Sequence, residues 1–370
     1  MLHRLSQSPR RVLMTLDAVG GVWRYAMTLG AGLAERGVST VFVGLGPRPS
    51  PAQKAEAERI GELAWLSLPL DWLAADGAAL EGVPAALAEL AEMHGVDLLH
   101  LNLPTQAAGI ATERPVIVVS HSCVATWFRA VRGTGLPADW QWQFDLNLAG
   151  LQRADVVLVP SRSHGMAVET SYRLPGRTIA VPNAVHPRPA RRAKRPVVLA
   201  AGRWWDEGKN GATLDAAAAS INWPVIMAGA MKGPNGAALG LMHAHGTGEL
   251  PSAELRGLLE QAAIVASPSV YEPFGLVALE AAHAGAALVL ADIPTYRELW
   301  PDAAALVPAR DPDAWAEAIN SLAADEARQQ ALAAAACRRA EAFALEAQLD
   351  GVLGAYATAM DRPAGRRMVA

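Results

Sequence analysis

Cysteine is scarce in this chain: Cys123 and Cys337 are the only two, more than 200 positions apart, and no Cys-x-x-Cys pair occurs. That excludes a zinc ribbon, a thioredoxin-like centre and a disulfide scaffold, and it fits a cytoplasmic protein. Charge is sparse as well, at 18% of residues against 52% hydrophobic, which excludes a disordered chain. Basic charge never dominates: residues 1–190 are neutral overall and the remainder carries the whole net charge of −4. Neither half has the positive field that nucleic acid requires. Long apolar runs are missing too. The most apolar stretch, Leu276 to Leu290, falls short of the roughly 20 residues a bilayer span needs, and it contains Glu280 and His283. Arg4, Arg10 and Arg11 are followed only by Val12 to Leu16 before Asp17 intervenes, which is not a signal peptide. No solenoid-like repeat is present.

What the chain does have is short aliphatic runs alternating with helical stretches, the pattern of βα units that build parallel sheets. Strands are predicted near Val12–Leu16, Ser39–Val43, Leu98–Leu101, Val116–Ser120, Val156–Val159 and Thr178–Val181. Between Pro187 and Pro196 come three prolines and five basic residues without apolar periodicity, which reads as an exposed connection. The pattern then restarts with strands near Val197–Ala201, Val225–Ala228, Ile264–Ala266, Ala287–Leu290 and Ala304–Val307. An alanine-rich helical tail follows Asp313, with breaks expected near Phe343 and Gly351. The expected fold class is therefore α/β with two doubly wound, Rossmann-like domains facing a cleft. Their expected ranges are 1–188 and 189–345, with a tail at 346–370 packing back toward the first domain.

Several loops at the carboxyl ends of these strands carry polar groups. Gly20-Gly21 opens a helix after the first strand, where free N–H groups and the positive helix end suit an anion, although a plain tight turn explains the pair equally well. His121 follows the Val116–Ser120 strand, where it is either a ligand group or a hydrogen-bonded loop histidine; His100 is a weaker competitor. Gly202-Arg203 and Lys209 share one βα loop and could clamp a divalent anion, or be a solvated surface pair. Lys209 is one of only four lysines. The strongest segment is Glu272-Pro273-Phe274-Gly275-Leu276 running on to Glu280. Phe274, Gly275 and Leu276 would offer N–H groups to phosphate oxygens, and Glu280 sits on an otherwise Ala, Leu and Val face, where burial without a partner is costly. No Asp-x-Asp sequence is persuasive as a metal site: Asp311-Pro312-Asp313 reads as a helix start.

The segment Glu272 to Glu280, a Glu-x7-Glu pair, resembles the donor-binding signature of the retaining glycosyltransferases of family 4, the group 1 glycosyltransferases of GT-B fold. Gly20-Gly21, Arg36-Gly37, His121, Val181-Pro182-Asn183, Gly202-Arg203, Lys209, Gly248-Glu249-Leu250 and Pro268-Ser269 occur in that family's order and span nearly the full chain. The resemblance implies transfer of a sugar from a nucleotide-sugar to a glycan, lipid-linked or small-molecule hydroxyl acceptor, with retention of configuration. It implies that Arg203 and Lys209 hold the diphosphate with the N–H groups of Phe274 to Leu276, that Glu280 takes the ribose hydroxyls, and that Glu272 and His121 contact the donor sugar. Gly20-Gly21 would approach the phosphates or the acceptor.

No metal or other cofactor is implied, because Arg203 and Lys209 neutralise the leaving diphosphate. No nucleic acid partner is expected, and a lipid-linked acceptor would bring a weak peripheral contact with the inner membrane face. Departures from the family pattern are one extra residue between Arg203 and Lys209, Asn210 and Ala184 where relatives have glycine, and no proline after Gly285. A nucleotide-sugar 2-epimerase and a non-catalytic sugar-binding protein are the rival readings. The aromatic cluster Trp127, Phe128, Trp140, Trp142 and Phe144 is open to acceptor stacking or to core packing.

Overall fold

A computed structural model describes residues 9–186, 192–234 and 236–362. The chain divides into two compact units. Unit 1 takes the residues up to Arg129, Thr134–Ala184 and everything from Leu345 onward; unit 2 takes Ala130–Gly133 and Val185–Ala344. The helix Leu345–Met360 thus belongs to unit 1, where Leu349 lies so close to Gly32 that a Cβ there would meet its Cδ1 at 2.7 Å.

Unit 1 is built on a seven-stranded sheet whose named pairings are all parallel. Its strands are β1 (Arg11–Leu16), β2 (Ser39–Gly44), β3 (Glu62–Trp65), β4 (Leu98–Leu101), β5 (Val116–Val119), β6 (Val156–Val159) and β7 (Thr178–Ala180), in the order β3-β2-β1-β4-β5-β6-β7. Alternation along each strand divides the apolar residues between two covered faces, as a parallel sheet requires. Leu13, Val41, Leu99, Val116 and Val118 line one face. Met14, Phe42, Leu98 and Ile117 line the other, beneath Trp23, Leu29 and Leu33 of the helix Gly21–Glu35 and Val352 and Tyr356 of the Leu345–Met360 helix.

Unit 2 repeats the plan with six parallel strands: β8 (Arg195–Ala201), β9 (Val225–Ala228), β10 (His245–Gly248), β11 (Ala262–Ser267), β12 (Ala287–Ala291) and β13 (Ala305–Val307), ordered β10-β9-β8-β11-β12-β13. Strand order reverses between β1 and β4 in unit 1, and between β8 and β11 in unit 2. Consecutive loops leave such a point in opposite directions, so polar residues just past those four strand ends face an opening rather than a crossover helix.

Four local expectations need correction. Strands β3 and β10 escape sequence reading because β3 has no β-branched residue and His245-Gly246-Thr247-Gly248 has no apolar residue at all. Arg195 and Pro196 begin β8 rather than ending the exposed connection; residues 187–191 of that connection lie outside the described residues. The tail breaks at Asp325, whose side chain caps the next helix by accepting from Arg328 N, and again near Phe343. No break occurs at Gly351, which lies inside the Leu345–Met360 helix and packs against Val181. The 188/189 boundary also falls on undescribed residues.

Candidate functional site

In unit 2 the charged residues past β8 and β11 converge. Beyond Ala201 the chain passes Gly202 and Arg203 and makes a short 3-10 turn, Glu207–Lys209, which Asp206 caps by accepting from Gly208 N at 2.9 Å. That turn absorbs the extra residue in the Arg203-to-Lys209 interval. The carbonyl of Gly208 accepts from Val270 N at 2.9 Å, tying the loop to the segment past β11. Lys209 Nζ then meets Glu272 Oε2 at 2.5 Å, with both side chains only 15–20% exposed. Arg203 is more exposed; its guanidinium lies over the Trp205 ring at 5.6 Å and 3.7 Å from Asp206. A planar cation lying over an indole face keeps its fork available to an incoming anion.

Local backbone chemistry fixes this arrangement. Asn210 adopts φ +55°, a conformation open to glycine and asparagine, which accounts for the residue found there. Its amide donates to the carbonyls of Pro268 (3.0 Å) and Ala309 (2.6 Å). Gly229 sits at φ +120° with room for no side chain: a Cβ would stand 2.0 Å from the carbonyl oxygen of Gly202. Past Glu272, Phe274 is buried edge-on against Phe343 at 5.6 Å and anchors the turn. Gly275, at φ +92°, begins the helix Leu276–His283 without a side-chain cap and without an acid in its first turn. The end is therefore a concentration of N–H groups. A Cβ on Gly275 would strike the ring of the fully buried Tyr296 at 2.9 Å; the Tyr296 hydroxyl is 2.6 Å from Ser267 Oγ. Burial, and then the nearby Glu272 carboxylate, push the Tyr296 phenol well above its ordinary pKa. Glu280 is the fifth residue of the helix and half-buried, between Leu279 and Ala281, which are fully buried.

In unit 1 the residues past β4 and β5 form a neutral network, while the carboxylate Asp17 lies past β1. Asp17 Oδ1 accepts from Val19 N, turning the chain into Gly20, the N-terminal cap of the helix Gly21–Glu35; Gly21 is exposed, and no acid occupies the first turn. His121 is half-buried, its Nε2 2.8 Å from Asn102 Oδ1 and its ring edge-on to Tyr25 at 4.6 Å. Burial first, and then the neighbouring imidazoles of His100 and His164, push His121 down to about 3. His100 is fully buried between two phenols, Tyr25 at 3.2 Å and Tyr356 at 2.9 Å, and burial drives it to about 3 as well. Such a histidine serves the core.

The residues chosen from sequence thus fall into two groups. Arg203, Lys209, Glu272, Phe274, Gly275, Leu276 and Glu280 lie together on unit 2, while Gly20, Gly21 and His121 belong to unit 1. Of the aromatic cluster, Trp142 and Phe144 pack against the unit 1 core, with Phe144 stacked on Tyr172 at 4.7 Å, whereas Trp140 stays exposed. Sequence reading passed over Asn102 and Tyr296. Asn102 follows β4 at the strand-order reversal, the one signal that could have marked it; Tyr296 gives no signal of its own.

The sequence profile of "Glycosyltransferase Family 4" matches residues 19–188, and that of "Glycosyl transferases group 1" matches 186–339. The D-inositol 3-phosphate glycosyltransferase of Kineococcus radiotolerans is 37% identical over 125 residues, 31% of this chain and 29% of that protein. The match therefore spans less than a third of the relative's length. Among solved structures, sucrose-phosphate synthase from Thermosynechococcus elongatus superposes with a TM-score of 0.75 at 20% identity, covering 94% of this chain and 98% of that one. Anabaena HepE in complex with UDP and glucose gives 0.72 at 16% identity, covering 94% and 99%. The two profiles together account for most of the chain, which belongs to the group 1, family 4 glycosyltransferases, and its two parallel α/β units are those of the GT-B fold.

Proposed function

We propose that this protein is a retaining glycosyltransferase that moves a sugar from a nucleotide-sugar to a hydroxyl acceptor without a metal ion. The observation that carries the reading is the unit 2 constellation: Lys209 paired with Glu272 at 2.5 Å, beside Arg203 and the uncapped start of the Leu276–His283 helix. Two cations and a helix N-terminus suit a diphosphate, the group on which negative charge builds as the sugar departs. Lys209 has three N–H donors and can serve Glu272 and a phosphate oxygen together. Glu280 is assigned to the ribose hydroxyls and Glu272 to hydroxyls of the donor sugar. His121 is assigned to a sugar hydroxyl, and the Gly20-Gly21 turn to a phosphate or the acceptor.

In the same-face reaction proposed here, the acceptor oxygen bonds to the anomeric carbon as the bond from that carbon to phosphate breaks. The electron pair leaves on the nucleoside diphosphate, whose oxygen takes the acceptor's proton. Arg203 and Lys209 hold that leaving group. NMR of the product's anomeric configuration tests retention, and a sugar trapped covalently on Glu272 overturns the same-face route. A calorimetric screen against UDP, GDP and ADP and their sugars, first with chelator and then with magnesium, tests the donor. HepE's complex with UDP and glucose puts UDP-sugars first in that screen. The expected outcome is binding of one nucleoside diphosphate without metal, lost in Lys209→Ala; binding to none, or only with magnesium, overturns the reading.

A further inference from the structure

The hydrogen bonds around His121 define more than its position. Asn102 is 1% exposed and tied at both ends to β1: its main-chain N donates to Thr15 Oγ1 at 2.8 Å, and its Nδ2 donates to the Thr15 carbonyl at 2.6 Å. Thr15 Oγ1 in turn donates to Gln106 Oε1 at 2.7 Å, so its own orientation is set. A carbonyl oxygen can only accept. The amide nitrogen of Asn102 therefore faces Thr15 and its oxygen faces His121 Nε2, 2.8 Å away. An amide oxygen also only accepts, so the proton of the imidazole must be on Nε2.

We infer that Asn102 is a positioning residue that locks His121 in the Nε2–H tautomer, leaving Nδ1 as a lone-pair acceptor for a hydroxyl of the bound substrate. The substrate half of this inference rests on the proposed transferase reading; the tautomer does not. A neutral ring is consistent with its surroundings. Tyr25 from the first helix packs edge-on to it, and His100 of β4 and His164 of the Arg162–Tyr172 helix oppose a second proton. His164 is itself buried, with its Nε2 3.3 Å from Ser120 Oγ. A histidine so held reads a hydroxyl through the hydroxyl's own proton and does not act as a cation toward phosphate. That separates its role from those of Arg203 and Lys209.

Nitrogen NMR of the full chain labelled with 15N-histidine tests this, with His121 assigned by its loss in His121→Gln. The expected spectrum has Nε2 at the position of a protonated nitrogen and Nδ1 at that of an unprotonated one, constant from pH 8 to 5. In Asn102→Asp, a nearly isosteric change, a carboxylate faces the ring, and its titration should rise from about 3 by about two to three pH units, into the range the spectra cover. Turnover should then fall as His121 gains its proton, while nucleoside diphosphate affinity stays within about twofold; a merely structural asparagine would not couple the pH profile to this side chain. Adding the nucleotide-sugar found by the screen should move the Nδ1 signal. An unprotonated Nε2, titration near 6.5 in the wild type, an Asn102→Asp spectrum equal to the wild type, or an Nδ1 signal indifferent to a donor that binds each overturn the inference. A locked tautomer in a protein that binds no nucleoside diphosphate overturns the transferase reading and the substrate contact, and leaves the tautomer assignment standing.

Discussion

The two units place polar residues at the carboxyl ends of the strands at and beside the reversal of strand order, yet fill those places with different chemistry. Unit 2 gathers full charges: Lys209 on Glu272, Arg203 beside Asp206, an uncapped helix start. Unit 1 has the carboxylate Asp17 past β1 and otherwise gathers neutral groups held by hydrogen bonds: Thr15 and His100 near the ends of β1 and β4, Asn102 and His121 past β4 and β5, and the two phenols around His100. The lesson is that the parallel sheet supplies a location, and the residues just past β1, β4, β8 and β11 decide what can bind there. A diphosphate suits the charged unit; hydroxyl-rich sugar chemistry suits the neutral one.

The largest effect should come from breaking the charged side. Lys209→Ala removes a charge-assisted contact and leaves Glu272 without its ion-pair partner, so affinity for the nucleotide-sugar should fall by about 1.5–3 kcal/mol, measured by calorimetry. Glu272→Gln, which keeps the shape and leaves Lys209 free for phosphate, should lower turnover more than affinity. Unchanged affinity in Lys209→Ala would move the diphosphate away from unit 2's loop.

Next in size is a prediction about the support of that unit. Asp215, on the helix Gly211–Ala218, accepts from the main-chain N–H groups of Met242, His243 and Ala244 at 2.9, 3.0 and 2.9 Å, fastening the loop that leads into β10. Asp215→Ala strands these donors and should cost about 2 kcal/mol in a denaturant titration. These bonds hold its carboxyl below the ordinary range although burial opposes them. Their contribution is therefore present above the unfolded value near 3.8 and lost as pH falls through the lower folded one.

How much of this was legible in the sequence depended on where the information lies. Central strands such as β4, β6 and β9 emerged at their true bounds because burial on both faces makes them almost wholly apolar, His100 of β4 being the one exception. β10 has no apolar residue, and the apolar run of β3, Leu63-Ala64-Trp65, carries no β-branched side chain to mark it as a strand. The charged side of unit 2 was visible because a lysine and paired glutamates are rare in so apolar a chain, although the bond between Lys209 and Glu272 joins residues 63 positions apart. Asn102 and Tyr296 act only through tertiary partners, and no local pattern records those.

Unit 1 should betray itself through pH. His100, His121 and His164, held at about 3, about 3 and about 4 by burial, stay neutral when folded and take a proton below about 6.5 when unfolded, so acidification from 6.5 toward 4 removes stability. Asp71 works against them: burial, aided by the charge of Asp17 and opposed by the Thr105 hydrogen bond, raises it to about 6. Its stabilising proton is fully effective below 3.8 and is lost as pH rises through 6, so between pH 6 and 4 it offsets about one histidine. With three histidines taking protons only in the unfolded chain and Asp71 offsetting one, a net loss of about 2.7 kcal/mol per pH unit remains. Hydrogen exchange at pH 6 and pH 5, corrected for the intrinsic rate, should show β1, β4 and β5 losing protection faster than β8 and β11. Equal losses would erase the electrostatic distinction between the units.

The smallest expected effect sharpens the comparison from inside the charged unit. Tyr296 is that unit's counterpart to the buried phenols of unit 1: fully buried, its hydroxyl bonded to Ser267 Oγ and its ring filling the space that a side chain on Gly275 would need. Tyr296→Phe keeps the ring and deletes one hydrogen bond, while Ser269 Oγ remains 3.5 Å from Ser267 Oγ. The expected cost is about 1 kcal/mol in stability, with donor affinity within twofold of the parent, because the ring and not the hydroxyl supports the Gly275 turn. A donor affinity ten times weaker at unchanged stability would instead make the phenol part of the binding surface, and unit 2 would then rely on buried neutral groups as unit 1 does.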